Sequence, residues 1–191
     1  MIIADKVDLT GLVDIAIGHR SLDYPSATIA DRIDKTPQNG EIFIVARSVV
    51  TWTTHWQHLA DAILNRGLRC TFILADRGTK SLVDGDFAEH DVPKCWDIFE
   101  QNLTTYLRDR WSERSGEFLV YAIPCYVPST FASYMGPGGT RFCSLEVGIG
   151  VGPEVRPIMY FQNVSETDAY TNLNTIFRRI LTGRRPVIKV P

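Results

Sequence analysis

Residues Gly40 to Asp76, GEIFIVARSVVTWTTHWQHLADAILNRGLRCTFILAD, read as one complete strand, helix, strand unit, and this unit constrains the fold more than any other stretch. Glu41 to Ala46 is a continuous β-branched and aromatic run of strand length, and Cys70 to Ala75 is a second. Both suit strands buried on two faces. Between them Trp52, Trp56, Leu59, Ala60, Ile63 and Leu64 recur at helical spacing, which lays one apolar stripe on the sheet. Gly67 supplies a left-handed stop before the next strand. Such crossovers are right-handed, so the two strands are expected to be parallel, with the loops after their carboxyl ends on one rim. Arg47, Ser48, Thr51, Trp52, His55, Asp76 and Arg77 all fall near that rim.

The rest of the chain extends the same alternation. Ser26 to Lys35 places Ile29, Ala30 and Ile33 on one face of a short helix, with Ser26 as its cap. Upstream, DIAIGH is a short strand or an edge segment. After Asp76, RGTKSLVDGDFAEHDVP is a polar loop that serves the active rim or merely connects. Trp96, Phe99, Leu103, Tyr106, Leu107 and Trp111 mark a long amphipathic helix ending before Ser115 and Gly116. Phe118 to Ile123, Arg141 to Ile149 and Val155 to Phe161 read as three further strands, with the Gly-rich turn MGPGG before the second. Ser165 and Asp168 have the spacing of a capping box, ahead of a closing helix striped by Tyr170, Leu173, Ile176, Phe177, Ile180 and Leu181. The expectation is one α/β domain over residues 1–191, a mixed, mostly parallel sheet flanked by helices on both faces.

Composition narrows the partners. A chain of 191 residues, 45% hydrophobic and 22% charged, has enough apolar surface for a sizeable core. A net charge of −2 and a pI near 6.1 show no global bias toward nucleic acid or anionic membrane, so nucleic acid is disfavoured. No apolar run approaches the roughly 18 to 20 residues that span a bilayer, and the start, MIIADKVDLTG, carries acids where a signal peptide is basic. A cytosolic location without membrane partners is expected. Cys70, Cys95, Cys125 and Cys143 are widely spaced, which suits reduced structural thiols better than zinc or disulfides. Gly148, Gly150 and Gly152 precede Pro153 rather than a helix, so they are no dinucleotide fingerprint, and no cofactor is nominated.

A helix, the strand EIFIVARS, a helix ending in the turn NRGLR and the strand CTFILAD together resemble the opening half of a phospholipase D superfamily domain. GLRCTFILAD, Gly67 to Asp76, approximates that family's G-V-x-V-x-x-L-x-D strand, and FQNVSETDAYTNLNTIFRRIL is similar to its closing strand and helix. The likeness spans most of residues 26–182. It implies a phospholipase D-like fold, phosphodiester chemistry by a His-x-Lys motif and a two-fold homodimer that sets two motifs face to face. In TRFCSLEVGIGVG, however, Arg141 stands where the histidine belongs and Cys143 where the lysine belongs, and no Gly-Ser-x-Asn follows. The resemblance therefore implies a degenerate site that binds without turnover, since an arginine still grips phosphate bidentately.

Several residues compete for the site. Arg47, Ser48 and Thr51 suit an anion at a helix start, or else the hydroxyls cap the helix while Arg47 is solvated. His55 and His58, three apart, form a surface pair or two thirds of a metal site for which no third ligand is nominated. Glu146 lies inside an apolar strand, where it serves as general acid or base, sits on an edge strand, or pairs with Arg141 or Arg156. Arg178, Arg179, Arg184, Arg185 and Lys189 suit a solvated helix end. The leading expectation is a sensing or regulatory domain binding a phosphate-bearing small molecule or nucleotide. Arg47, Ser48, Thr51 and Arg141 would hold phosphate, Trp52 would stack on a base, and Asp76 and Arg77 would complete the rim. The alternatives are a hydrolase of phosphodiester or N-glycosidic bonds using Glu146 with His55 or His58, and a protein-interaction scaffold.

Overall fold

The computed structural model describes residues 11–17, 29–46, 55–79, 92–112, 116–125, 127, 129–136, 141–147 and 157–190. Strands β2 (Glu41–Ala46) and β3 (Arg69–Ala75) are buried at every position after their first residue. That pattern follows from their nearly unbroken apolar runs, which leave no face for water. Between them runs helix α2 (Trp56–Arg66), which buries Trp56, Leu59, Ala60, Ile63 and Leu64. It ends at Gly67, whose φ of 67° is left-handed, and the Leu68 N–H returns to the Ala62 carbonyl (3.2 Å). Helix α3 (Val92–Tyr106) makes the second crossover, to β4 (Glu117–Ile123). Its stripe is Cys95, Trp96, Phe99 and Leu103, and the helix stops earlier than its apolar spacing suggests: a 3₁₀ turn at Arg108–Arg110 carries the chain to Trp111.

Past β4 the architecture changes. Strand β5 (Ser129–Met135) returns antiparallel to β2, and β6 (Phe142–Val147) and β7 (Pro157–Gln162) continue outward as a meander. Strand β1 (Leu12–Ile17) closes one edge on β7, and β8 (Ile188–Val190) closes the other on β4. The order is β1-β7-β6-β5-β2-β3-β4-β8. Only β2–β3 and β3–β4 are parallel, against five antiparallel pairings, β1–β7, β7–β6, β6–β5, β5–β2 and β4–β8. The mostly parallel, phospholipase D-like sheet expected from the sequence is therefore corrected to a mixed, mostly antiparallel one. The reason is topological. Parallel neighbours need a helical crossover, which among the described residues only α2 and α3 provide between adjacent strands, whereas β5, β6 and β7 pair antiparallel in succession.

Alternation along β2 divides the interior in two. Ile42, Ile44 and Ala46 face a core shared with α1 (Ile29–Lys35), α2 and α3, while Phe43 and Val45 face a second core under α4 (Ala169–Arg179). In the first, Phe99 lies against Trp56, Phe72, Trp96 and Phe118, with ring centroids 5.3 to 6.1 Å apart. In the second, Phe177 stacks on Phe131 at 4.5 Å. Helix α4 starts at Asp168, not at the Ser165 that the capping-box spacing suggests. One Asp168 oxygen accepts the Thr171 N–H (2.8 Å) and the other accepts the N–H groups of Val164 and Ser165. Burial pushes this carboxyl upward, but those three backbone donors outweigh it and hold it below the usual range.

Truncating Phe99→Ala, which is fully buried, should cost about 3–5 kcal/mol in urea unfolding, and a loss under 1 kcal/mol would contradict the aromatic core. Because the folded Asp168 carboxyl titrates lower than the unfolded one, its contribution is complete above about pH 4 and disappears as pH falls through the folded value. The stability gap between the parent and Asp168→Asn should accordingly be open at pH 7 and narrow at pH 3. A gap that does not change with pH would remove Asp168 as the charged cap.

Candidate ligand site

The carboxyl rim of β2 and β3 is only partly described: Arg47, Ser48, Thr51 and Trp52 lie outside the described residues. Asp76 is at that rim, but its carboxylate closes the local turn by accepting the Gly78 N–H (2.8 Å) and the Thr79 hydroxyl (3.3 Å). Arg77 turns back onto α3 and pairs with Asp97 (2.7 Å) and Glu100 (2.8 Å). Those two hydrogen-bonded carboxylates raise its pKa. Both residues thus fasten the strand end. His55 stands at the N-cap position of α2, where its side chain does not cap the helix. His58 faces α1, with Nδ1 3.1 Å from Asp34, so its ring is engaged by a carboxylate on the neighbouring helix.

Glu146 is 8% exposed on β6, an internal strand, paired in register with Thr130 of β5 and Ile158 of β7. It lies on the three-helix face, near the carboxyl end of β2. The edge-strand reading of Glu146 is therefore excluded. Arg141 immediately precedes β6 and is exposed at the opposite rim, where its carbonyl accepts the Asn163 N–H (2.8 Å). The strand sets Arg141 about 17 Å from Glu146, beyond ion-pair range. It also places Arg141 at the other end of the sheet from Ala46, the residue that leads into Arg47.

A different group converges at that amino-end rim. The last turn of α1 packs over the ends of β5 and β6, leaving a cavity of ≈ 280 Å³ lined by Arg32, Lys35, Thr36, Pro37, Tyr134, Met135 and Phe142. The Arg32 guanidinium carbon is 3.6 Å from the centre of the Phe142 ring, a close cation–π contact. Its Nε is buried and has no hydrogen-bond partner among the described residues. Burial lowers the Arg32 pKa, partly offset by the Tyr134 and Tyr160 hydroxyls and Asp31, but a guanidinium stays charged at neutral pH. The buried Tyr134 phenol is pushed upward by desolvation and remains neutral.

Asp31 and Asp34 share this helix with Arg32 and Lys35, so the backbone at its end matters. The carboxyl end of a helix exposes carbonyls that repel an anion. In α1 these are occupied, because Arg66 of α2 donates to the carbonyls of Ile33 (2.8 Å), Asp34 (3.0 Å) and Thr36. The Thr36 hydroxyl donates to the Arg32 carbonyl (2.8 Å). Gly136 lets the chain approach Pro37, since a Cβ there would fall 2.1 Å from the Pro37 ring. None of the seven lining residues is acidic. Sequence reasoning missed Arg32, Tyr134 and Phe142. The available signal was a cation adjacent to Ile33 and three residues from Ile29, on the edge of an apolar helix stripe.

On the other face, Arg178 reaches Glu41 (2.8 Å) and Asn174 (3.1 Å) and lies 4.6 Å from the Phe43 ring. Beyond it Arg179, Arg184, Arg185 and Lys189 are exposed. No helix among the described residues is long and apolar enough to cross a membrane.

No protein-family model matches the chain, and no curated protein matches it in sequence. In fold it is similar to TrmBL2, an archaeal chromatin protein whose structure shows a novel mode of DNA binding, with a TM-score of 0.50 and 9% identity. The match covers 97% of this chain and 61% of that one, so this chain spans under two thirds of the neighbour's length. This finding overturns the expectation that nucleic acid is disfavoured as a partner: a fold extending over nearly all of this chain occurs in a DNA-binding protein. Net charge sums over the surface and does not report local patches.

If Arg32 is held for binding rather than folding, Arg32→Met, which keeps the stem and removes the desolvated cation, should shift unfolding stability by less than about 1 kcal/mol. Urea denaturation decides this. A loss above about 2 kcal/mol would make Arg32 a structural residue.

Proposed function

We propose that the protein is a cytosolic sensing or regulatory domain that binds a phosphate-bearing small molecule or nucleotide at the Arg32 cavity, without turning it over. The observation that carries this reading is Arg32 itself. Its guanidinium lies over the Phe142 ring and lines the cavity beside Lys35, so two cations share one opening. An anion is the complementary ligand, because Arg32 and Lys35 line a wall that contains no acid. Binding without turnover is the simpler reading of this lining, which holds no carboxylate, histidine or thiol and whose Tyr134 phenol stays protonated.

A second reading, nucleic acid, has its own observation: Arg179, Arg184, Arg185 and Lys189 are exposed together after and along α4, and the fold neighbour is a DNA-binding protein. Exposed cations of this kind meet duplex phosphates by counterion release.

Thermal unfolding with inorganic phosphate, nucleotides and a short DNA duplex separates the readings. Binding to the native state raises Tm, and a ligand at 100 times its Kd adds about 2.7 kcal/mol. A shift with phosphate compounds that is lost in Arg32→Met and Lys35→Met supports the cavity. A salt-sensitive shift with DNA alone, abolished by Arg184→Ala with Arg185→Ala, supports the second reading and sinks the first.

A further inference from the structure

The cavity holds more than a phosphate site requires. A cation serving charge alone needs no flat partner, yet Arg32 lies against the ring of Phe142, which itself stacks with Tyr160 at 5.9 Å and neighbours Tyr134 at 6.4 Å. The wall is thus a π layer capped by a guanidinium, and a guanidinium plane accepts an aromatic ring on either face. One face of Arg32 is taken by Phe142, and Arg32 also lines the cavity, where a ring brought by a ligand would meet its guanidinium.

Size and charge narrow the class further. A volume of ≈ 280 Å³ is near the lower bound, about 300 Å³, of pockets that enclose small organic ligands. It suits one base with its sugar and excludes full enclosure of a dinucleotide. Lys35 is exposed at the same cavity, one helical turn from the body of the wall, where a phosphate would remain partly solvated. Two cations match the charge of one phosphate monoester.

We infer that the ligand is a nucleoside monophosphate whose base stacks on the Arg32 guanidinium and whose phosphate is met by Lys35. This rests on the reading of the Arg32 cavity as a phosphate-compound site. It adds the base, and with it a selectivity that phosphate recognition alone does not produce.

Calorimetric titration of the full chain with AMP, GMP, CMP, UMP, ribose 5-phosphate and inorganic phosphate tests it. The best of the four nucleotides should bind at least about tenfold tighter than ribose 5-phosphate, the usual size of a base-stacking contribution. Arg32→Lys keeps the charge and removes the plane. It should erase that advantage while leaving ribose 5-phosphate affinity within about threefold of the parent. Equal binding of nucleotides and ribose 5-phosphate, or an advantage that survives Arg32→Lys, would overturn the stacking inference and leave the phosphate reading standing. Failure of every compound to bind a chain with an unchanged melting curve would overturn both.

Discussion

The antiparallel pairing of β5 with β2, from Glu41–Met135 to Val45–Phe131, joins two halves that the chain builds by different rules. On one side of β2 the next two strands, β3 and β4, are parallel to it and helical crossovers cover one face; on the other, β5, β6 and β7 form a meander. β2 must therefore hydrogen-bond in both modes and bury both of its faces. Its alternation of Ile42 and Ile44 with Phe43 and Val45 meets that demand, since each face carries large side chains. Break this seam and both cores lose their central wall.

The cavity is a consequence of the same seam. α1 precedes β2 and cannot lie far from its amino end, while β5 and β6 bring Tyr134 and Phe142 to that end by register. Arg66 then fixes the loop by filling the carbonyls of α1. Two arginines flank the rim on opposite faces, and each has a buried nitrogen without a partner among the described residues, Nε in Arg32 and Nη2 in Arg178. They differ in what holds them. Arg178 is anchored by Glu41 and Asn174, so its burial fastens α4 to the sheet. Arg32 is held instead against the Phe142 ring, at a cavity whose seven lining residues include no acid.

Sequence periodicity revealed the elements that depend on local physics. β2, α2, Gly67 and β3 were legible because each obeys one period and one stop signal, and so were the apolar stripe of α3 and that of α4 apart from Ile176, which is exposed. β5 was missed because STFASYM mixes small and polar residues with its apolar ones, and its Ser133 reaches the Tyr170 hydroxyl (3.3 Å) inside the core. Without β5 the parallel rule seemed to cover the sheet. Asp76 and Arg77 were located correctly at the rim, yet their work is fastening, since a nearby N–H or carboxylate captures each charge. The Arg32 cavity was illegible for a different reason. Its partners lie far along the chain, and only the β2–β5–β6 register brings them under α1.

Shape separates the two ligand classes better than charge does. A duplex presents phosphates on a convex, rigid surface, so cations that meet it must be exposed, as Arg185 is and as Arg184 is while its Nε donates to the Ile180 carbonyl (2.9 Å). Arg32 is drawn in against Phe142 beneath the last turn of α1, and a duplex phosphate cannot reach it without dragging sugar and base into ≈ 280 Å³. A free mononucleotide, the ligand proposed above, is small enough to avoid that obstacle. The two surfaces also lie on different faces of the sheet, one with α1 and the other beyond α4, so either can be used without the other. A chain with a net charge of −2 can carry both, because each site responds to the few charges within about 10 Å and not to the total.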